Sequence, residues 1–280
     1  MIKKTAMVGL GLLLVGIAGS IFTFKSVNGA NEVTEEKVEI HDEFDEIEIS
    51  ANEAKVEVLP TDDSKARVEL TGGYSNYRLS ADVDGSTLKV DVGHRQKKLF
   101  NFGFSSALLS LKVYVPEKEY QSLKIESGNG RVRADDLQAK VVHVETDNGH
   151  IKLNHMKSSE VTAEADNGTI DMENVEASTV TTRADNGKIM LDGVEGKLFG
   201  KTNNGSISLV THDLDRVIDF ETDNGKIKIQ TEKEPTNAII DAKVDNGKVT
   251  IFGESNWDTV IGDGDNLIKL TTNNGTITVK

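Results

Sequence analysis

Apolar residues recur at fixed distances from a repeated Asn-Gly pair in the second half of the chain. Every repeat carries an apolar side chain seven residues before the glycine, two residues after it and four residues after it. The glycines are separated by 19, 19, 19, 18, 20, 22 and 28 residues, and a period near 20 indicates a stacked or arrayed supersecondary unit. The eight glycines are Gly130, Gly149, Gly168, Gly187, Gly205, Gly225, Gly247 and Gly275.

Polar and apolar residues alternate within each repeat, as they do along a strand with one buried face. Each repeat therefore offers two or three short strands, and helical periodicity is absent. Two all-β architectures fit: a β-solenoid with coils of about 19–22 residues, or an array of hairpins, for which Asn-Gly is the strongest short-range signal. The identical columns over eight repeats favour the solenoid. The short period does so too, because arrayed sheets such as propeller blades need roughly 40 to 50 residues per unit.

The repeated asparagine is predicted to form a structural ladder along one corner of the solenoid. With coils stacked at about 4.8 Å, each side-chain amide would bond to the next and satisfy polar groups that water does not reach. The glycine beside it would supply the positive φ that the corner demands. The ladder residues are Asn129, Asn148, Asn167, Asn186, Asn204, Asn224, Asn246 and Asn274.

Residues 38–120 carry short alternating strands of the same style without a regular repeat, such as 47–49 and 111–115. The end repeats of stacked folds are usually atypical. We therefore expect this segment to form irregular N-terminal coils that cap the regular solenoid of residues 121–280.

The first residues, 1–26, are typical of a membrane anchor. An uncharged run of 20 residues, 5–24, would span roughly 30 Å as a helix, which is the thickness of the hydrocarbon core of a bilayer. Two lysines precede it and an acidic stretch follows, so the positive-inside rule predicts a single-pass protein with a cytoplasmic N-terminus. A cleaved signal peptide with small residues at 18–20 is the alternative. Either reading delivers the body, after a linker at 27–37, to the extracytoplasmic side of the cell membrane.

The overall charge and composition exclude several classes of function. The net charge of −14 repels phosphate backbones, and no basic stripe is present, so nucleic acid is not an expected partner. The chain has no cysteine, which rules out a disulfide framework, Cys-ligated metals and thiol catalysis. No cofactor is expected.

Three stretches carry a resemblance to a known family: Val-Pro-Glu at 115–117, Leu-Lys-Ile-Glu-Ser-Gly-Asn-Gly at 123–130 and the repeats of the type seen at 145–153. Over roughly residues 40 to 280 the chain resembles a bacterial family of candidate adhesins. Its tethered layout is similar to that of LiaG-like membrane-anchored members linked to the cell-envelope stress response of Firmicutes. The resemblance implies a right-handed β-solenoid at the cell surface, of the single-stranded β-helix type. It brings no catalytic or binding residues with it.

The aspartates next to the ladder asparagines are the first candidates for chemistry. Stacked carboxylates could bind Ca²⁺. However, the pattern is not the glycine-rich nonapeptide of calcium solenoids, and asparagine replaces aspartate at 203 and 273, so a solvated turn column is favoured. No histidine spacing matches a metal motif, and no metal site is predicted. The aspartates are Asp147, Asp166, Asp185, Asp223 and Asp245.

The basic and aromatic segment at 95–104 stands out in an otherwise acidic body. Three basic residues precede three phenylalanines at alternating positions, which suits contact with an anionic membrane surface or a membrane protein if the segment is exposed. The alternative is that the phenylalanines fill the core under the N-terminal cap. The residues are Arg95, Lys97, Lys98, Phe100, Phe102 and Phe104.

The last repeat stops inside a strand at 276–280. An uncovered coil end is an edge to which another chain can add, so self-association through the C-terminal coil is an expectation.

Together these features predict a non-enzymatic, membrane-tethered scaffold or adhesin-like protein of the bacterial cell envelope. Its expected partners are the membrane, through the anchor, and an envelope protein or cell-wall polymer. A cell-wall polysaccharide-active enzyme is the alternative, since some β-solenoids cleave polysaccharides with clustered carboxylates. Here the acidic residues are spread through the turns, and aromatic platforms for sugars are few. A regulator of a membrane partner is the third reading.

Overall fold

The computed structural model describes residues 34–72, 77–94, 109–255 and 258–280, and over these ranges the chain is all-β. Sixteen strands and no helix are formed there. They are β1 (Thr34–Ile40), β2 (Glu46–Ala51), β3 (Ala54–Thr61), β4 (Ala66–Gly72), β5 (Tyr77–Asp84), β6 (Thr87–His94), β7 (Leu109–Pro116), β8 (Glu119–Asp135), β9 (Gln138–Asn154), β10 (Lys157–Glu173), β11 (Glu176–Asp192), β12 (Glu195–Thr211), β13 (Ile218–Thr231), β14 (Ala238–Ile251), β15 (Asp258–Ile261) and β16 (Asn266–Val279).

The predicted anchor, residues 1–26, lies outside the described ranges. Within those ranges, no helix has the length and apolar character needed to cross a bilayer. The first described strand, β1, begins at Thr34, which is inside the predicted linker at 27–37.

Each regular repeat contributes one long strand to a stack. Strands β8 to β12 are 17 residues each, and each pairs in parallel with the next. Glycine faces glycine throughout, as Gly149 does with Gly130 on one side and Gly168 on the other. The Asn-Gly pairs are therefore bends inside continuous strands, not hairpin turns. The predicted all-β, solenoid-like stack of repeats is confirmed, whereas the two or three short strands expected per repeat are one bent strand.

The C-terminal end of the stack departs from chain order. Strand β16 pairs in parallel with both β13 and β14, so it lies between them. Gly275 accordingly faces Gly225 on one side and Gly247 on the other. The prediction of an uncovered C-terminal strand is wrong, because both edges of β16 are hydrogen-bonded. The stack ends instead with β14 and the short antiparallel β15, which pairs with the first part of β14.

The N-terminal end of the stack is built from shorter strands. Strands β2 and β3 pair in parallel with the two arms of β8, and β6 and β7 pair in parallel with β2 and β3. These pairings add two further rungs to the stack. Strands β5, β4 and β1 then join by antiparallel pairing with β6, β7 and β4 respectively. This change of pairing direction ends the parallel stack.

Apolar side chains fill the space between the two arms of each bent strand. Val142 and Val144 on the first arm of β9, and Ile151 and Leu153 on the second, are fully buried. The same columns recur in every coil, so each coil packs its apolar residues against the coils above and below. Fully burying one such side chain stabilises the fold by about 1.5–3 kcal/mol. The stability of the stack is therefore largely a sum of interfaces between neighbouring coils.

Candidate functional site

The bends of the coils align along one solvent-facing side of the stack, which we call the Asn-Gly edge. It consists of the residue before each ladder asparagine, the asparagine itself, the glycine and the residue after it. The apolar columns fix its position, because they hold both arms of every bend in register.

The asparagine side chains form a continuous hydrogen-bonded ladder along this edge. Each Nδ2 donates to the Oδ1 of the neighbouring coil, and the seven distances lie between 2.9 and 3.1 Å. The direction of donation is uniform from β14 to β8. The asparagines are exposed, so the prediction that this corner is shielded from water is wrong. The ladder runs from Asn129 through Asn148, Asn167, Asn186, Asn204, Asn224 and Asn274 to Asn246.

The glycine column is required by the close approach of stacked backbones. A Cβ on Gly187 would lie 1.8 Å from the carbonyl oxygen of Gly168, and a Cβ on Gly225 would lie 1.6 Å from that of Gly205. The inner members of the column have no left-handed φ, and the outermost two, Gly130 and Gly247, have φ of 158° and 153°. The predicted reason for these glycines, a positive φ, is therefore wrong for the inner coils.

The left-handed conformation occurs instead at another corner of the coils, for which the repeat pattern makes no prediction. Asp136, His155, Asn174 and Gly193 have φ of 54°, 50°, 52° and 61°. Each lies six residues after a ladder glycine, and glycine, asparagine, aspartate and histidine are the residues that tolerate this region best. The recurrence of such residues at one position of the repeat is the sequence signal that predicts a left-handed φ there.

The residues that flank the Asn-Gly pairs alternate in charge along the edge when they are taken in spatial order. From β11 onward, a coil with aspartate and lysine is followed by one with asparagine and a hydroxyl residue. Asn203 donates to Asp185 at 3.3 Å and Asn273 donates to Asp223 at 3.2 Å, so amides separate the carboxylates. In spatial order the column before the asparagine is Asp185, Asn203, Asp223, Asn273 and Asp245, and the column after the glycine is Lys188, Ser206, Lys226, Thr276 and Lys248.

This arrangement offers polar contacts at regular intervals and no built metal site. No group of three or more histidine or acidic side chains among the described residues is placed to hold a metal ion. The first two aspartates of the column, Asp147 and Asp166, occupy neighbouring coils on the same exposed edge.

A shallow groove of about 620 Å³ crosses the coils on another side of the stack. Its floor is a column in which Glu119, Gln138, Lys157, Glu176 and Glu195 face one another from coil to coil. Lys157 pairs with Glu176 at 3.4 Å, so the acidic residues are interrupted by a cation. The groove provides a polar contact surface with charges of both signs.

The longer repeat after β12 is tied down by two charged residues that sequence reasoning did not select. The side chain of Arg216 is only 10% exposed, pairs with Glu195 at 2.8 Å and donates to the carbonyl oxygen of Val194 at 2.9 Å. Asp215 accepts hydrogen bonds from the Thr236 hydroxyl at 2.7 Å and from the backbone N–H of Asn237 at 2.9 Å. The Thr236 hydroxyl, followed by that backbone N–H, lowers the pKa of Asp215.

The predicted membrane or partner contact, Arg95, Lys97, Lys98, Phe100, Phe102 and Phe104, lies outside the described residues. The segment 95–108 connects β6 to β7. Strands β6 and β7 are the two arms of one rung of the stack.

Comparisons with known proteins place the chain in a family. The Toastrack DUF4097 family model matches residues 44–280, and no curated protein matches the chain. A crystal structure of a candidate adhesin from Bacteroides fragilis is 14% identical with a TM-score of 0.45, covering 89% of this chain and 97% of that chain. One from Parabacteroides distasonis is 10% identical with a TM-score of 0.41, covering 90% and 98%. A candidate cell adhesion protein from Clostridium sporogenes is 13% identical with a TM-score of 0.37, covering 89% and 99%.

The resemblance to a family of candidate adhesins, seen in the repeats of the sequence, is confirmed at the level of the family. Since the family model spans the chain from β2 to its last residue, the chain belongs to the Toastrack DUF4097 family.

Proposed function

We propose that this protein is a membrane-tethered, extracytoplasmic scaffold of the bacterial cell envelope that presents the Asn-Gly edge to an envelope partner. The observation that carries the proposal is the edge itself, where eight coils display the ladder asparagine in register, flanked in most coils by charged, amide or hydroxyl groups. The ladder holds them at about 4.8 Å intervals, so little conformational entropy remains to be lost on binding. A rigid, periodic surface suits a periodic ligand.

The chemistry of the edge favours a polar, repeating polymer of the cell wall. Alternating coils carry a carboxylate and an ammonium, and the coils between them carry amides and hydroxyls. Such a surface offers both hydrogen-bond donors and acceptors at every step and has no large apolar patch of its own. Envelope glycans and their peptide substituents display hydroxyl, amide and carboxylate groups that fit this pattern.

The tether and the location rest on the sequence of residues 1–26. An uncharged run of 20 residues preceded by two lysines supports a single span with the repeat stack outside the cell. The test is protease treatment of intact cells after the wall is removed. We expect the protease to digest the repeat stack. In untreated cells, we expect the full-length chain to remain in the membranes after an alkaline wash. A chain that resists protease until the cells are lysed would refute the outward orientation.

Binding at the edge is tested by sedimentation of the full chain, in detergent, with insoluble cell-wall material. The variant Lys188→Gln, Lys226→Gln, Lys248→Gln removes the cations of the edge. A matched control replaces three exposed lysines on other faces, Lys65, Lys197 and Lys233, by glutamine. We expect the edge variant to lose most of its binding and the control to keep it. Equal binding by both variants would refute the edge as the contact surface.

The same material tests for enzymatic activity. An enzyme acting on wall polysaccharide would release soluble fragments over time, whereas a scaffold would be recovered with intact glycan. The control is a variant in which the groove residues Glu119, Glu176 and Glu195 are replaced by glutamine. Any release of soluble glycan fragments that depends on these carboxylates would be abolished in this variant.

A further inference from the structure

An exposed apolar stripe crosses the last four rungs of the stack. It consists of Val217, which directly precedes β13, followed in spatial order by Leu267 of β16, Ile239 of β14 and Val260 of β15. Leu267 is 44% exposed and Val260 is 67% exposed, Val217 and Ile239 are half-buried, and Ile268, next to Leu267, is buried. In the middle of the stack the same column is polar, with Glu160, Thr179 and Lys197. Val141 in β9 is a single apolar residue of this column, so the run of apolar residues in neighbouring strands lies at the C-terminal end.

The rim of this stripe is acidic. The next outward-facing column carries Asp219, Lys269, Asp241 and Asp258 in the same four strands. Lys269 is paired with Asp219 at 3.5 Å and Lys243 with Asp241 at 3.0 Å, which leaves Asp258 to set the sign next to Val260. An anionic lipid surface would be repelled here, whereas an apolar segment with basic residues would be attracted.

The stripe ends at a strand with a free edge. Strand β15 pairs with β14 on one side, and no strand in the described part of the chain pairs with its other side. Unpaired backbone groups next to exposed apolar side chains favour the addition of an extended segment with alternating apolar residues.

A segment with this chemistry exists in the chain. Residues 95–104 carry three basic residues, followed by phenylalanines at 100, 102 and 104. Phenylalanines at every second position would lie on one face of an extended strand. The basic residues before them carry the charge opposite to that of the acidic rim. We propose that this segment of one copy docks on β15 and the apolar stripe of a second copy.

The contact has to form between copies because the segment cannot reach the stripe of its own chain. The rung of β6 and β7 lies nine intervals from β14 along the stack, which is about 43 Å at about 4.8 Å per interval. Residues 95–108 are held at both ends, and a fully extended chain of this length reaches out and back by only about 25 Å. Two different surfaces of the chain therefore meet in this contact, and the arrangement that the proposal takes is head-to-tail.

Cysteine crosslinking tests this contact cleanly, because the chain has no cysteine of its own. Full-length Phe102→Cys and Val260→Cys chains are co-expressed and their membranes are treated with a mild oxidant. We expect a disulfide-linked dimer from this pair. The matched control pairs Phe102→Cys with Val141→Cys, an exposed valine of the same column at the other end of the stack. It is expected to give no dimer.

The double variant Phe102→Cys, Val260→Cys extends the test to the geometry. A head-to-tail contact predicts a ladder of multimers from the double variant, whereas the two single variants together stop at the dimer. A dimer from Val260→Cys alone would indicate a two-fold contact and overturn the proposal. Absence of any crosslink, or equal crosslinking to Cys at position 141, would also overturn it.

Charge and aromatic variants provide a second readout in the same assay. Adding Asp241→Lys and Asp258→Lys to the Val260→Cys chain is expected to abolish the dimer, and so is adding Phe100→Ser and Phe104→Ser to the Phe102→Cys chain. Thermal unfolding of each variant verifies that the stack is intact. A dimer that persists with the acidic rim reversed would contradict the proposed recognition. This inference does not depend on the wall binding proposed above, which uses the Asn-Gly edge.

Discussion

Replacing Gly187 by alanine should split the stack at one coil interface. The added Cβ would lie 1.8 Å from the carbonyl oxygen of Gly168, and real contacts of this kind stay above 3.0 Å, so the two backbones must separate locally by about 1.2 Å. The obstacle is backbone, so no side chain can rotate away. Loss of one ladder bond and two or three backbone hydrogen bonds costs about 3–4 kcal/mol. Overpacking adds about 1–3 kcal/mol. We expect a total loss of about 4–7 kcal/mol.

Denaturant unfolding of the full chain measures this loss, and amide hydrogen exchange locates it. Exchange should rise in β10 and β11 and fall to the wild-type level several coils away, since interfaces in a stack are largely independent. Gly85→Ala is the control: its φ is 66° and nothing lies within 4 Å of the added Cβ. It should cost only about 1–2 kcal/mol, the ordinary penalty for a left-handed alanine. A Gly187→Ala protein no less stable than Gly85→Ala would refute close approach as the reason for the glycine column.

Three further predictions concern the ladder and the insertion after β12. Asn186→Ala removes two ladder bonds and should cost about 1–2 kcal/mol in denaturant unfolding, whereas Asn246→Ala, at the end of the ladder, should cost about half as much. Arg216→Met should lower the free energy of unfolding by about 3 kcal/mol in the same assay, because the acceptors around this side chain lose a charged donor. A variant as stable as the wild type would contradict the anchoring role of Arg216. The folded-state pKa of Asp215 is lowered, so its stabilisation is present above the unfolded pKa of about 3.9 and is lost as pH falls through the folded value. Asp215→Asn should therefore unfold with a weaker dependence on pH in the acidic range, and an unchanged pH profile would refute the assignment.

The regular half of the fold was predictable because the signal was repeated eight times. Columns such as Val142, Val161 and Val180 specify which face of each strand is buried, and a one-residue slip would expose all of them. The same columns also located the edge on which the ladder forms. These columns carry no information on the sign of the φ angle at each glycine. The sequence therefore predicts a positive φ where the structure requires close approach of two backbones.

The ends of the stack were not predictable in the same way. Strands β1 and β4 pair antiparallel with partners that are distant in sequence, β5 forms a hairpin with β6, and no column of the repeats extends into β1, β4 or β5. Arg216 is held by three acceptors in two segments, at Val194 and Glu195 and at Thr211, and two of these acceptors are backbone or hydroxyl groups. Such single contacts leave no periodic trace in the sequence, so they become visible only when the chain is folded.

The position of β16 shows how a local charge pattern can specify long-range order. In chain order, the last three coils carry aspartate at 223 and 245 and then asparagine at 273, so two aspartate coils would be neighbours. Inserting β16 between β13 and β14 places Asn273 between them, where it donates to Asp223. Like charges directly opposite each other on adjacent strands are unfavourable, and a hydrogen-bonded amide removes that repulsion. The same insertion separates Lys226 from Lys248 by Thr276. The alternation thus favours the observed order without determining it, because Asp147, Asp166 and Asp185 occupy neighbouring coils in β9 to β11.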